Sequence, residues 1–159
     1  MNAPLTPERE QEIRKQFESW PAHATIPTLL AQIDHLRDEL AETKAHHDPR
    51  LRGLLVKADK ERDLYVQWST ACDMPGGVFS RETALEYGFP RSKVDWADKH
   101  GSSSHHGDGA WDDKGWVAEQ RGWLRRHLIG DYAIKYLHGD RQAAYALLEP
   151  FDGETEVRR

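Results

Sequence analysis

The sequence predicts an α+β fold, with an N-terminal amphipathic helix pair followed by a small domain that has a short antiparallel sheet and several C-terminal helices. Apolar residues recur every three or four positions between residues 13 and 40, which is the helical period. Short runs rich in valine and aromatic residues follow, bounded by glycine and proline, which is typical of strands. We therefore divide the chain into a helical arm over residues 1–50, an α+β domain over 51–152 and a polar tail over 153–159.

The helical arm begins with capping signals. Thr6 predicts an N-cap and Pro7 the first helical residue, where a missing N–H costs nothing. The apolar seam of this first helix consists of Ile13, Phe17 and Trp20, and Pro21 ends it. A second helix over residues 26–45 has a heptad seam made of Ile26, Leu29, Ile33, Leu36 and Leu40, widened by Leu30. We expect the seam over residues 13–40 to pack within the chain, and a homo-oligomer formed with a second copy is the alternative.

The first half of the domain shows strand signals and then helix signals. Residues 53–57 and 64–69 predict two strands around a charged turn, because Tyr, Val and Trp favour strands. Residues 74–77 predict a turn, and residues 78–79 a short strand. Two helices are predicted next, one from Ser80 as N-cap to Gly88 as C-cap, and one from Phe89 to His100, which Gly101 ends.

The second half of the domain is predicted less uniformly. Residues 101–109 are rich in serine and glycine and predict a flexible loop. Residues 115–120 fit either a strand or the start of a helix. Apolar spacing from Leu124 to Leu137 predicts a helix, and residues 141–149 predict a last one before a tail that we expect to be frayed.

Composition limits the classes of partner. The formal charge is −5, from 22 basic and 27 acidic residues, with no basic stripe, so a nucleic-acid partner is not expected. The start of the chain lacks the pattern of a signal peptide, and the apolar runs are too short to span a membrane. We therefore expect a cytoplasmic protein without a membrane partner. The single cysteine, Cys72, rules out an intramolecular disulfide, and we expect it to be buried and inert.

The histidine-rich loop is the candidate metal site. Its residues are His100, His105, His106 and Asp108, with Asp112 and Asp113 just behind. Neutral imidazoles and carboxylates suit zinc or a similar divalent ion. Their spacing matches no zinc motif, however, and histidines in a polar loop are usually solvated. We predict no bound metal and no cofactor, and keep a metal-dependent hydrolase built on this region as an alternative.

Tryptophans interleaved with arginines form the candidate ligand site. Tryptophan faces stack on nucleobases, and arginine binds phosphate through two parallel N–H groups. We expect most tryptophans, including Trp68 and Trp96, to form the core of a domain with few aliphatic residues. The predicted ligand-binding residues are Trp111, Trp116, Arg121 and Arg81, and no catalytic residue is identified. Such a pocket would suit a nucleotide-like ligand.

Residues 63–152 resemble a group of small uncharacterised proteins of actinobacteria and their phages. The resemblance rests on DLYVQWSTACDMPGGVFSRETALEYG at 63–88, WADKHGSSS at 96–104, DDKGWVAEQRGWLRRHL at 112–128 and AAYALLEPFD at 143–152. No activity comes with this group, and the resemblance implies an accessory gene of a phage, prophage or mobile element.

These observations favour a non-enzymatic accessory protein that binds a host protein or a small, nucleotide-like ligand. No catalytic motif is recognised, so we expect that the protein is not an enzyme. Besides the metal-dependent hydrolase, a minor virion or assembly component is the remaining alternative, with the helical arm as its attachment.

Overall fold

The structure, a computed structural model, describes residues 26–158 and the isolated helical positions 8, 11, 12 and 15. The chain divides into two compact units, residues 1–37 and 38–159. The predicted helix with the seam Ile13, Phe17 and Trp20 lies outside the described residues, so the helix pair is not tested. What is described is a mixed α+β protein with two small antiparallel sheets.

Helix α1 spans Ile26–His47 and carries the predicted heptad seam. Leu30, Ile33 and Leu40 are nevertheless exposed, at 55%, 44% and 53% of their surface. Most of residues 13–25 lies outside the described residues, so packing of the seam within the chain stays a prediction. None of the helices that the structure describes is long and apolar enough to cross a membrane.

The three-stranded sheet consists of β1 (Leu54–Lys57), β2 (Tyr65–Ser69) and β3 (Met74–Phe79), antiparallel and in that order. The two strands around a charged turn are confirmed. The turn predicted at 74–77 is wrong, because these residues belong to β3 and pair with β2. A Cβ on Gly77 would stand 2.7 Å from the Phe79 ring, so a larger residue there would require that ring to move.

Two helices follow the sheet as predicted. Helix α2, Arg81–Tyr87, begins with a capping box formed by Ser80 and Thr83 and ends at Gly88, whose φ is 115°. Helix α3, Arg91–His100, ends at Gly101 with a φ of 95°. Glycine is favoured at both C-caps because a left-handed backbone strains other residues.

A β-hairpin precedes the last helices. Its strands are β4 (Gly115–Ala118) and β5 (Gly122–Arg125), so the helix predicted from Leu124 is wrong at its start. Helix α4 covers Ile129–His138 and α5 only Arg141–Tyr145. The last helix is shorter than predicted because Glu149 forms a β-bridge with Trp123.

Strand β2 separates two cores. Val66 and Trp68 pack with α4 and the β4–β5 hairpin, whereas Tyr65 packs with α2 and α3. Trp68 is only 2% exposed, which confirms its predicted place in the core. Trp96 and Trp123 are 37% and 40% exposed, so the expectation that they also form core is wrong.

The serine- and glycine-rich loop is held at both ends, contrary to its predicted flexibility. Gly101 and Ser103 exchange backbone hydrogen bonds with β1, at 2.8 Å each, and Ser102 is buried. The buried Arg126 donates to the Gly101 and Gly109 carbonyls. Composition alone misses such partners because they come from distant parts of the chain.

Two further expectations fail. The tail is not frayed throughout, because the Arg158 N–H donates to the Arg121 carbonyl at 2.9 Å and Val157 packs against the core. Cys72 is exposed rather than buried, because it lies in the turn between β2 and β3.

Candidate functional site

A concavity of about 640 Å³ lies between the end of α1, the segment before β1, and α3. We call it the Lys93 groove. Its cationic and aromatic lining consists of His46, Arg52, Lys93, Trp96 and His105. Helix α3 supplies Lys93 and Trp96, one helical turn apart, and the serine-rich loop supplies His105. The groove therefore combines positive charge with an aromatic surface.

Lys93 is the central charge of the groove. Its ammonium donates to the carbonyls of Leu51 at 3.1 Å and Gly53 at 3.0 Å, and it lies over the Phe89 ring. Burial lowers the pKa of Lys93. No carboxylate within residues 26–158 forms an ion pair with it, and two bonds leave one of its three N–H donors free. Lys93 is half-buried, so its ammonium is partly desolvated, and an anion at the free donor would offset part of that cost.

Arg52 adds a second positive charge at the rim. Its side chain is exposed, and no carboxylate of the described part of the chain forms an ion pair with it. Glu42, also exposed, is the acidic residue that lines the groove. The lining therefore carries two lysine or arginine side chains against one glutamate, an excess of one positive charge.

Trp96 separates the Lys93 groove from a smaller cavity. The indole stacks on His100, with ring centroids 4.1 Å apart and planes 29° apart, and contacts the His105 ring at 4.5 Å. Its N–H donates to the Ser104 carbonyl at 3.3 Å, which fixes the ring orientation. Because 37% of Trp96 is exposed, part of its aromatic surface is accessible.

The smaller cavity, about 290 Å³, has Trp111 at its far side, and we call it the Trp111 cavity. The Trp111 indole donates to the Lys99 carbonyl at 3.1 Å. The Arg126 guanidinium lies 4.9 Å from its ring centroid and the Lys60 ammonium 5.6 Å away. Nε2 of His100 is buried and finds no hydrogen-bond partner among the described residues.

The structure does not bring the four predicted ligand residues together. Trp111 lines the cavity just described. Trp116 instead packs edge-on against Trp68, with centroids 5.4 Å apart, in the core. Arg121 lies over the Tyr145 ring on the other side of that core, and Arg81 belongs to an ion-pair network.

The network around Arg81 is structural. Arg81 pairs with Asp95 and Asp98 of α3, and Asp98 also accepts from the Lys57 ammonium at 2.6 Å and from the Tyr65 hydroxyl. Burial alone would raise the pKa of Asp98, but the hydrogen bonds from Lys57 and Tyr65 lower it below its ordinary value. The network fixes α3 against the sheet, and its charges compensate each other.

Glu119 forms a second polar cluster. It occupies the β4–β5 turn with a φ of 47°, and its carboxylate accepts from the hydroxyls of Tyr136 at 2.6 Å and Tyr145 at 2.9 Å. Burial, with the Glu119 bond, raises the pKa of Tyr136 to about 12, so this phenol stays a donor. Arg121 lies 3.6 Å from the same carboxylate. These groups satisfy one another, which makes the cluster a weaker binding candidate than the Lys93 groove.

The histidine loop holds no assembled metal site. His100 and His105 contact Trp96, while Asp108 accepts from the Ser104 hydroxyl and Asp113 from the Gly109 N–H. In the part of the chain that the structure describes, no three histidine, cysteine or acidic side chains are grouped around a metal position.

Sequence reasoning does not identify Lys93 and Arg52, and it assigns Trp96 to the core and His105 to a metal site. Lys93 and Trp96 share one stripe of α3 with His100 at spacings of three and four, which is the signal that could have found them. Comparison of the chain with protein-family models, with curated proteins and with solved structures finds no match.

Proposed function

We propose that this protein is a non-enzymatic binding protein that holds a small anionic ligand in the Lys93 groove. The observation that carries the proposal is the Lys93 ammonium, which is desolvated without a carboxylate partner in the described chain. Desolvating a charge costs several kcal/mol unless an opposite charge offsets it. An anion placed beside Lys93 provides that offset.

Size and charge support a small molecule over a protein partner. The groove volume of about 640 Å³ falls within the range of roughly 300–1,000 Å³ that is typical of small-ligand sites. Arg52, exposed at the rim, can complete the binding of an anion through its planar donors. We further propose that the protein is an accessory protein of a phage or mobile element, as the resemblance of residues 63–152 implies, and that this binding sequesters the ligand.

A second candidate function is that of an assembly component. It is favoured by the exposed apolar residues Leu30, Ile33 and Leu40 along α1, which suit contact with another helix. The metal-dependent hydrolase stays a prediction. Among the described residues, no three histidine, cysteine or acidic side chains are grouped to hold its metal.

A thermal-shift screen with phosphate, pyrophosphate, citrate and nucleoside monophosphates tests the binding function. An anion at a hundred times its Kd should stabilise the protein by about 2.7 kcal/mol, which is a Tm increase of roughly 5–10 °C. Lys93→Gln should weaken binding by about ten- to a hundredfold, because one charge-assisted hydrogen bond contributes about 1.5–3 kcal/mol.

Lys135→Gln is the matched control, since Lys135 is exposed on α4 and does not line the groove. Chromatography of the ligand after incubation separates binding from turnover. The proposal fails if no anion raises the Tm of the wild-type protein, or if the Lys93 and Lys135 variants bind equally well. Chemical conversion of the ligand by the protein would contradict the proposal that the protein is not an enzyme.

A further inference from the structure

Helix α3 sets a cation and two aromatic rings on one stripe. Lys93, Trp96 and His100 are spaced by three and four residues, so their side chains share one helix face. At a rise of about 1.5 Å per residue, Lys93 and Trp96 are separated by roughly 4.5 Å along the axis. A ligand that contacts both side chains must carry its negative charge close to a planar group.

The ring of His105 marks a position beside Trp96 that a planar heteroaromatic group can occupy. Its centroid lies 4.5 Å from that of Trp96, with the two planes tilted by 49°, at the boundary between the Lys93 groove and the Trp111 cavity. The residue is exposed, and so are residues 106–108 that follow it. An added Cβ at Gly107 would meet nothing within 4 Å, so the loop faces open space at that residue.

We infer that the ligand of the Lys93 groove is a mononucleotide, whose base stacks on Trp96 in place of the His105 ring and whose phosphate binds at Lys93 and Arg52. This inference rests on the proposed function. The base-to-phosphate arrangement of a nucleotide meets the requirement set by the Lys93–Trp96 spacing. The two adjoining concavities of about 640 and 290 Å³ provide room for the base and the sugar phosphate.

The charge of the protein favours a free nucleotide over a nucleic-acid strand. The net charge is −5, and the groove supplies two exposed or half-buried lysine and arginine side chains. Strand binding depends on many phosphate contacts along a basic path. A single phosphate beside Lys93 and Arg52 needs no such path.

Calorimetric titration with a nucleoside 5′-monophosphate, the nucleoside without phosphate, and ribose 5-phosphate tests the inference. The nucleotide should bind at least about fivefold tighter than ribose 5-phosphate, because base stacking on an aromatic side chain contributes about 1–3 kcal/mol. Trp96→Leu should remove this difference. Trp123→Leu, which changes a similarly exposed tryptophan outside both concavities, should retain it.

His105→Ala tests whether the base of the ligand replaces the His105 ring beside Trp96. Since His105 is an exposed loop residue, the variant should fold, and circular dichroism with thermal melting verifies this for all variants. The nucleotide affinity should rise a few-fold, because the ligand no longer displaces a ring from Trp96. A loss of affinity in His105→Ala would overturn the exchange of rings.

The possible failures are distinguishable. If ribose 5-phosphate binds through Lys93 as tightly as the nucleotide, the stacking inference is overturned while the proposed function stands. If neither phosphate binds, the proposed function is overturned and the inference with it. A single-stranded hexanucleotide that binds more than about tenfold tighter than the mononucleotide would overturn the assignment to a free nucleotide.

Discussion

Replacing Arg126 with methionine should destabilise the protein more than most single substitutions. Arg126 is only 5% exposed, and its guanidinium donates to five backbone carbonyls, those of Lys57, Ala58, Gly101, Gly109 and Ala110, at 2.6–3.2 Å. These carbonyls belong to three separate segments of the chain. Methionine fills the space of the side-chain stem but provides no donor.

The expected loss of stability follows from two opposing effects. Each hydrogen bond from a charged donor contributes about 1.5–3 kcal/mol, and an unsatisfied buried carbonyl costs about 1–3 kcal/mol. Removing the guanidinium also removes its own desolvation cost, which is reflected in the lowered pKa that burial causes in Arg126. A net loss of about 3–5 kcal/mol is therefore expected, because five carbonyls lose their donor while the desolvation cost of only one charge is removed.

Thermal unfolding measures the effect. A loss of 3–5 kcal/mol should lower the Tm by roughly 6–20 °C for a chain of this size. The Trp111 fluorescence should change as well, because the guanidinium lies 4.9 Å from that ring. Arg125→Met is the control, since the exposed Arg125 makes only a surface ion pair with Glu149. A Tm of Arg126→Met within about 2 °C of the control would show that the five carbonyl bonds of Arg126 contribute little to stability.

Two further substitutions test the core and the α3 network. Trp68→Ala, at a side chain only 2% exposed, should cost about 3–5 kcal/mol in urea unfolding, and an unchanged midpoint would place Trp68 outside the core. The pKa of Asp98 in the folded protein lies below its ordinary value. The ionised carboxylate therefore stabilises the fold fully when the pH is above the ordinary pKa, and this stabilisation is lost as the pH falls through the lowered pKa. Below about pH 4, the urea midpoint of the wild-type protein should therefore decrease more steeply with falling pH than that of Asp98→Asn. Parallel curves of urea midpoint against pH would contradict the role of Asp98.

Local signals were sufficient for much of the fold. The capping box at Ser80 and Thr83 and the glycine C-caps at 88 and 101 place α2 and α3 because each depends on a few neighbouring residues. Predictions failed where a residue distant in sequence determines the local structure. Leu124 belongs to a strand because it pairs with β4, and the loop beginning at Gly101 is ordered by β1 and Arg126.

The candidate site was only partly predictable for a related reason. Asp and Gly residues adjoin Trp111 in sequence, which favours an exposed ring, and Trp111 does line a cavity. Trp116 follows Lys114 and Gly115, which favours the same interpretation, but its ring packs against Trp68. Whether a tryptophan is exposed depends on which residues the tertiary fold packs against it. The neighbouring residues in sequence therefore do not identify an exposed tryptophan.

The placement of α3 connects the ion-pair network to the binding groove. At 3.6 residues per turn, Asp95 and Asp98 lie on nearly the opposite side of the helix from Lys93, Trp96 and His100. Val94 and Ala97, both fully buried, anchor the helix between these two faces. Because Arg81, Lys57 and Tyr65 hold the acidic face, the groove-facing side chains start from a fixed backbone. A preordered site loses less conformational entropy on binding, so this network favours ligand affinity without touching the ligand.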